Sequence, residues 1–199
     1  MKYFIKNETL IINGDFEALS TGINGGRCAV NCLFNHTVES EFDRVLPKEY
    51  LNSVASSHDI IEPYFGLLTA VDMDNLCVEI DEYMTVFVTA GITHPSPFRT
   101  KSIGTINIII VARANVSEGA MAGAIITATE AKSKALIDMG FDFLGTTTDA
   151  VIIATENVAQ KKLQNIEYSG SYTDFGSKIT KAVTKCVKES IRKTHPEYR

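Results

Sequence analysis

The sequence predicts an α/β (α+β) fold, a mixed β-sheet with helices packed on it, as a single compact domain over residues 1–199. Three observations carry that expectation. Ile106 to Val111 is almost continuously apolar, the pattern of a strand buried on both faces. Ala150 to Ala154 repeats the pattern. Between them, Ser117 to Met139 reads as one long helix, opened by a serine N-cap with Glu118 beside it and closed at Gly140. A strand, a helix and a strand in that order can form a parallel crossover.

The preceding elements are shorter. Thr9 to Ile12 and Phe16 to Leu19 are apolar-rich, and Asn13-Gly14 between them reads as the tight turn of a hairpin. Asn24-Gly25-Gly26 marks another turn, followed by a candidate strand at Val30 to Phe34. Glu39 to Pro63 is polar without a clean period and reads as loops and a short helix. Phe65 to Val71 and Leu76 to Ile80 are strand candidates around the acidic turn Asp72 to Asn75. Thr85 to Ala90 is β-branched and aromatic, a strand composition. The loop from Gly91 to Gly104, with His94, Pro95, Pro97, Arg99 and Lys101, is too short for a helical crossover. The strands it joins are therefore antiparallel if adjacent. Its length suits either a functional lid or a solvated connection. A last helix runs from Thr173 or Asp174 to about Thr194, before Pro196.

Composition narrows the function classes. Hydrophobic residues make up 45%, charged residues 22%, and the net charge is −5, which gives no broad basic surface for nucleic acid. Met1 to Leu10 lacks a signal-like apolar run and no stretch is long enough to cross a bilayer, so a cytoplasmic location is expected. Cys28 and Cys32 have no second close pair to complete a zinc site, and with Cys77 and Cys186 they read as reduced structural thiols. Lys178, Lys181, Lys185, Lys188 and Arg192 form a basic stripe on the last helix, read as a solvated face. A homo-oligomer remains open.

Three polar features interrupt otherwise apolar elements. On a helical wheel Lys132 falls within the stripe of Met121, Ile125, Ala128, Leu136 and Met139. A lysine there snorkels to water, pairs with a buried carboxylate, or points into a cleft to hold a substrate oxygen. Glu130 is a candidate acid or base, or else a surface i,i+4 partner of Lys134. Gly145-Thr146-Thr147-Thr148-Asp149 clusters hydroxyls and N–H groups at a strand entrance, as an anion or carbonyl site does and as a self-satisfied turn also does. Asn107, preceded by Gly104-Thr105, needs several hydrogen bonds if buried. Arg27, next to Gly25-Gly26, is a weaker candidate for a substrate carboxamide or phosphate.

Thr89-Ala90-Gly91, Gly104-Thr105-Ile106-Asn107-Ile108-Ile109, Thr127-Ala128-Thr129-Glu130-Ala131-Lys132 and Gly145 to Ala150 occur in that order. Together they resemble the adenosylcobinamide amidohydrolases of corrinoid salvage. Leu19-Ser20, Gly25-Gly26, Thr69-Ala70-Val71 and Tyr168-Ser169-Gly170 extend the likeness over most of the chain. Two stretches depart from the pattern. Ile92-Thr93-His94-Pro95 follows Gly91 where an Asn-Ala-like segment is expected, and Ser171-Tyr172-Thr173 follows Gly170 where a His-Thr pair is expected.

The resemblance implies hydrolysis of the amide joining aminopropanol to a corrin propionate, yielding adenosylcobyric acid and 1-amino-2-propanol. Cobalt would arrive within the corrinoid substrate, with no protein-bound metal or other cofactor. Such chemistry needs an activated water, an oxyanion donor and a proton for the leaving amine. Glu130 or Asp149 is the candidate base. Asn107 and the threonine hydroxyls or N–H groups are candidate oxyanion donors, with Lys132 as electrostatic support or acid. Attack by Thr146 or Thr148 with Lys132 as base is less favoured. Thr105, Thr146, Thr147, Thr148, Arg27 and Arg99 are the candidate substrate contacts. Asn107, Glu130, Lys132 and Asp149 are expected to converge on one cleft. The alternatives are a corrinoid-binding protein that has lost catalysis, suggested by Tyr172, and a regulatory module using the basic helix.

Overall fold

The chain opens with strand β1 (Lys2–Lys6), which turns back through Asn7 and Glu8 into β2 (Thr9–Ser20). Both turn residues have positive φ, 46° and 54°, as the two-residue turn that matches strand twist requires. The computed structural model describes residues 1–38, 46–92, 104–157 and 163–198. Asn13-Gly14 is not the hairpin turn that the dipeptide suggested. β2 is continuous through it, and the register against β3 (Gly26–Thr37) shifts between Asn13 and Phe16. The signal for a tight turn is used here as a bulge, where the chain also needs unusual backbone freedom.

That bulge divides the partners of β2. Its first half pairs with β1 and its second half with β9 (Ala150–Glu156), both antiparallel. Beyond β3 lies β4 (Tyr64–Thr69), parallel to it. On the other side β9 is followed by β7 (Thr105–Ala112), β6 (Met84–Gly91) and β5 (Cys77–Ile80). The β6–β7 pair is antiparallel and the β7–β9 pair parallel, as expected from the connections. Every residue of β6, β7 and β9 is buried, which is why these strands read as largely apolar, with Asn107 as a polar interruption of β7. Short strands β8 (Asn115–Val116) and β10 (Asn165–Ile166) pair separately.

Side chains alternate between two cores. Ile106, Ile108 and Ile110 meet the helices, while Ile109 and Val111 meet Leu10, Leu33, Phe65 and Leu67 on the other face. The second core exists because the sheet curls. Asn107 of β7 reaches the Leu68 carbonyl of β4, although several strands separate them in the sheet order. Helix α1 (Pro47–Ser57) packs Leu51, Val54 and Ala55 against Phe34 and Tyr64 outside that curl.

Two long helices cover the first core. α2 (Glu118–Asp138) starts where the Ser117 hydroxyl accepts the Ala120 N–H, as the N-cap reading requires. α3 (Asp174–Thr194) buries Phe175, Ile179, Ala182, Val183, Cys186, Val187 and Ile191. Burying a large side chain of this kind contributes about 1.5–3 kcal/mol. Its basic stripe is not a free cationic face. Lys178 pairs with Asp81, Lys185 with Glu79 and Lys188 with Asp138, at 2.8, 2.6 and 2.8 Å. These pairs tie α3 to the β5–β6 turn, to β5 and to the end of α2. Among the described residues no helix is long and apolar enough to cross a membrane.

Candidate active site

Lys132 sits within the apolar side of α2, 7% exposed, because a carboxylate waits for it there. Its Nζ lies 2.5 Å from Asp149 Oδ2, so the structural ion pair is the reading the geometry adopts. Asp149 precedes β9, and its oxygens are fully engaged. Oδ2 also accepts the Thr146 N–H at 3.0 Å. Oδ1 accepts the Ile106 N–H at 2.9 Å and the Thr146 hydroxyl at 2.6 Å. One carboxylate thus stitches α2, the start of β7 and its own turn together. A methyl group at Gly145 would collide with both Lys132 Nζ and Asp149 Oδ2, so only glycine lets the turn close over the pair.

The other threonines serve the same end of the sheet. Thr105 and Thr148 share a hydrogen bond between hydroxyls at 2.7 Å, and Thr148 also donates to the Gly104 carbonyl. Thr147 is exposed. Neighbouring Gly91 and Thr105 are register partners, so the segments bearing the family resemblance gather here.

Asn107 does not join them. Strand alternation points it into the curled sheet, away from α2. Its Nδ2 donates to Asn35 Oδ1 at 2.9 Å and to the Leu68 carbonyl at 2.8 Å, while Asn35 donates to Thr89. Its own Oδ1 is buried without a partner among the described residues. The amide thus lies within a core network that closes the curl.

Glu130 also parts from Lys132. Two positions along a helix are about 200° around it, so the two side chains leave α2 on opposite sides. The expected i,i+4 pair with Lys134 does not form, since Lys134 pairs with Asp138 instead. Glu130 is exposed and makes no hydrogen bond or ion pair with the described residues. It lines a cavity of about 590 Å³ between α2 and the segment from Glu167 to Thr173. The four proposed catalytic residues therefore do not share one cleft: Lys132 and Asp149 meet, Glu130 faces this cavity, and Asn107 lies behind the sheet.

The cavity wall is anchored at Ser169. Its hydroxyl donates to the Ala120 carbonyl and its carbonyl accepts from Thr127 Oγ1, each at 2.7 Å. Gly123 is what allows this approach, because a methyl group there would strike Ser169 Oγ. Around the rim Tyr168 is 78% exposed, Tyr172 fully exposed and Ile126 61% exposed, a broad surface of large side chains. Sequence reasoning did not place these residues in a site. Their signal was two tyrosines and small polar residues in a short segment without period, just before an N-cap.

Arg27 is committed elsewhere. Its guanidinium pairs with Glu118 Oε1 at 2.6 Å and Glu17 Oε2 at 3.3 Å. Arg99, like His94, lies outside the described residues.

A family model described as adenosylcobinamide amidohydrolase matches residues 6–198. The chain belongs to the adenosylcobinamide amidohydrolase family. It is a hydrolase acting on a carbon–nitrogen amide bond. A Methanosarcina mazei protein named adenosylcobinamide amidohydrolase is 52% identical over 196 residues, covering 96% of this chain and 98% of that protein. A Halobacterium salinarum protein of the same name is 26% identical over 188 residues, covering 87% of this chain and 78% of its own. An uncharacterized Methanocaldococcus jannaschii protein is 32% identical over 227 residues, covering 94% and 87%. Within this family member, the segment Thr127 to Lys132 serves two purposes. It sends Glu130 and Thr127 to the cavity and Lys132 to the buried pair.

Proposed function

We propose that this chain hydrolyses the aminopropanol amide of adenosylcobinamide, giving adenosylcobyric acid and 1-amino-2-propanol, with the reaction at the cavity beside α2. The observation that carries this is the carboxylate of Glu130, unpaired among the described residues, in a cavity of about 590 Å³ rimmed by exposed Tyr168, Tyr172 and Ile126. That volume is within the range of small-molecule sites, roughly 300–1,000 Å³. A corrin is a broad macrocycle with apolar faces and a rim of amides. Tyrosine rings suit its face, and the cavity takes one amide arm.

Glu130 acts as the proton-transfer group. Its carboxylate takes a proton from water as the water oxygen bonds to the amide carbon. The proton then passes to the amide nitrogen as the carbon–nitrogen bond breaks, leaving a carboxylic acid and an amine; the acid's proton then moves to the amine, giving a corrin carboxylate and an ammonium. Ser171 and Tyr172 line the cavity, and their hydroxyls are the donors proposed for the oxyanion. Lys132 and Asp149 position α2 rather than touch substrate, since both Asp149 oxygens are already occupied by four protein donors. Cobalt enters as part of the substrate, and chelator-treated protein is expected to keep its turnover.

Release of 1-amino-2-propanol from adenosylcobinamide by purified protein tests the reaction, and Glu130→Gln tests the place. Loss of turnover in Glu130→Gln with intact corrinoid binding supports the cavity. Unchanged turnover there, with loss in variants of Lys132 or Asp149 that remain folded, would move the reaction to the sheet end, where the family segments gather. Corrinoid binding without amine release would make the chain a binding protein.

A further inference from the structure

We infer that the cavity beside α2 selects its substrate by charge: it accepts the amino-alcohol arm as a free alcohol and rejects the same arm as a phosphate monoester, with Glu167 as a specificity-determining residue. The inference rests on the hydrolase reading of that cavity.

The charged residues among the described lining are Glu130 and Glu167, both carboxylates. Among the described residues, the nearby cationic groups are paired with other anions. Arg27 reaches α2 next to Gly119, which lines the cavity, but it is held between Glu118 and Glu17. Lys134, one turn beyond Glu130, is held by Asp138. Lys178, in α3, which starts where the lining ends at Thr173, is held by Asp81. Asp174, in the first turn of α3, does not line the cavity and accepts the Tyr83 hydroxyl. Among the described residues, a ligand arm entering here meets negative charge without a compensating partner in the lining.

This field has opposite consequences for the groups that the reaction involves. The neutral alcohol is unaffected by it. The amine released by hydrolysis is an ammonium near neutral pH and is attracted. The new carboxylate on the corrin is repelled, which favours its departure. A phosphate monoester on the arm's hydroxyl carries about −1.5 to −2 near pH 7 and needs paired cations such as an arginine cluster, which the described lining lacks. Repulsion between such a group and two exposed carboxylates in this open groove lowers its use on the order of 10-fold. The effect is screened by salt, because the Debye length falls to about 3 Å at 1 M.

The test compares kcat/KM for adenosylcobinamide and for its phosphate monoester at low and at high ionic strength. The wild-type chain is expected to prefer the free alcohol about 10-fold at low salt, with the preference shrinking as salt rises. Glu167→Lys should cut the low-salt preference by about 10-fold, and Glu167→Gln by about 3-fold should the lysine variant fold poorly. Glu49→Lys, the same charge reversal on α1, should leave the ratio unchanged. Equal use of both substrates by the wild type, or a preference indifferent to salt and to both Glu167 variants, would overturn the inference and leave the hydrolase reading standing. Hydrolysis of neither substrate would overturn both.

Discussion

Lys132 Nζ and Asp149 Oδ2 lie 2.5 Å apart with side chains only 9% and 13% exposed, so removing the cation strands a nearly buried carboxylate. Three protein donors to Asp149 remain, and they soften the loss without cancelling it. Lys132→Met keeps the side-chain volume and removes the charge. It should destabilise the fold by about 3 kcal/mol, as breaking a buried pair does. For a chain of this size that lowers Tm by roughly 6–12 °C. Thermal unfolding checks this, and turnover per folded molecule should stay within about 10-fold of the wild type. A stable Lys132→Met protein without turnover would instead make Lys132 catalytic.

Glu130→Gln should behave in the opposite way. The side chain is exposed and unpaired with the described residues, so the fold should change by no more than about 0.5 kcal/mol. The amide cannot take the proton, and kcat should fall about 100- to 10,000-fold. Amine release measured alongside a corrinoid absorbance titration separates the two effects, because binding should persist.

The contrast between these neighbours shows what the sequence could carry. Helical periodicity placed Lys132 on the apolar side of α2 and left open whether it snorkels, pairs with a carboxylate or enters a cleft. It could not choose Asp149, which comes from a turn that only the β7–β9 crossover brings beneath the helix. The same periodicity showed Glu130 on another side, but the cavity wall comes from residues 167–173, whose approach depends on Gly123 and on the Ser169 hydrogen bonds. Asn107 was legible as a buried amide. Which face it served was not, because the partner strand comes from the far side of a curl that no local pattern records. Asn13-Gly14 misled for a related reason, since the dipeptide reports backbone freedom and a bulge uses that freedom as readily as a turn.

Gly123→Ala should damage the cavity without touching Glu130. The added methyl would strike Ser169 Oγ, so the hydroxyl must leave the Ala120 carbonyl or the segment must move outward. An overpacked contact of this kind costs about 1–3 kcal/mol. Because the displaced segment carries Tyr168 and Tyr172, KM for the corrinoid should rise more than kcat falls. Steady-state kinetics check the split. A fall in kcat alone would place the 167–173 segment in the chemical step rather than in binding.

The surface pairs of α3 give the fold a defined dependence on pH. Hydrogen bonds from Lys178 and then from the Glu82 N–H hold the Asp81 carboxyl below its ordinary 3.8. Those from Lys134 and Lys188 do the same for Asp138. A depressed carboxylate contributes stability that is present above its unfolded pKa and lost as pH falls through the lower folded value. Bonds to Asp81 and Glu79 raise Lys178 and Lys185 above 10.5, so their share is present below that value and lost as pH rises through the raised one. The urea midpoint should therefore be flat between the two limits, fall below about pH 4 and fall again above about pH 10.5. These pairs are exposed and screened, so the slopes should be modest and should shrink in 1 M salt. Combined replacement of Lys178, Lys185 and Lys188 by methionine should flatten both limbs. An acid limb unchanged in that variant would assign the acid sensitivity to carboxylates away from α3.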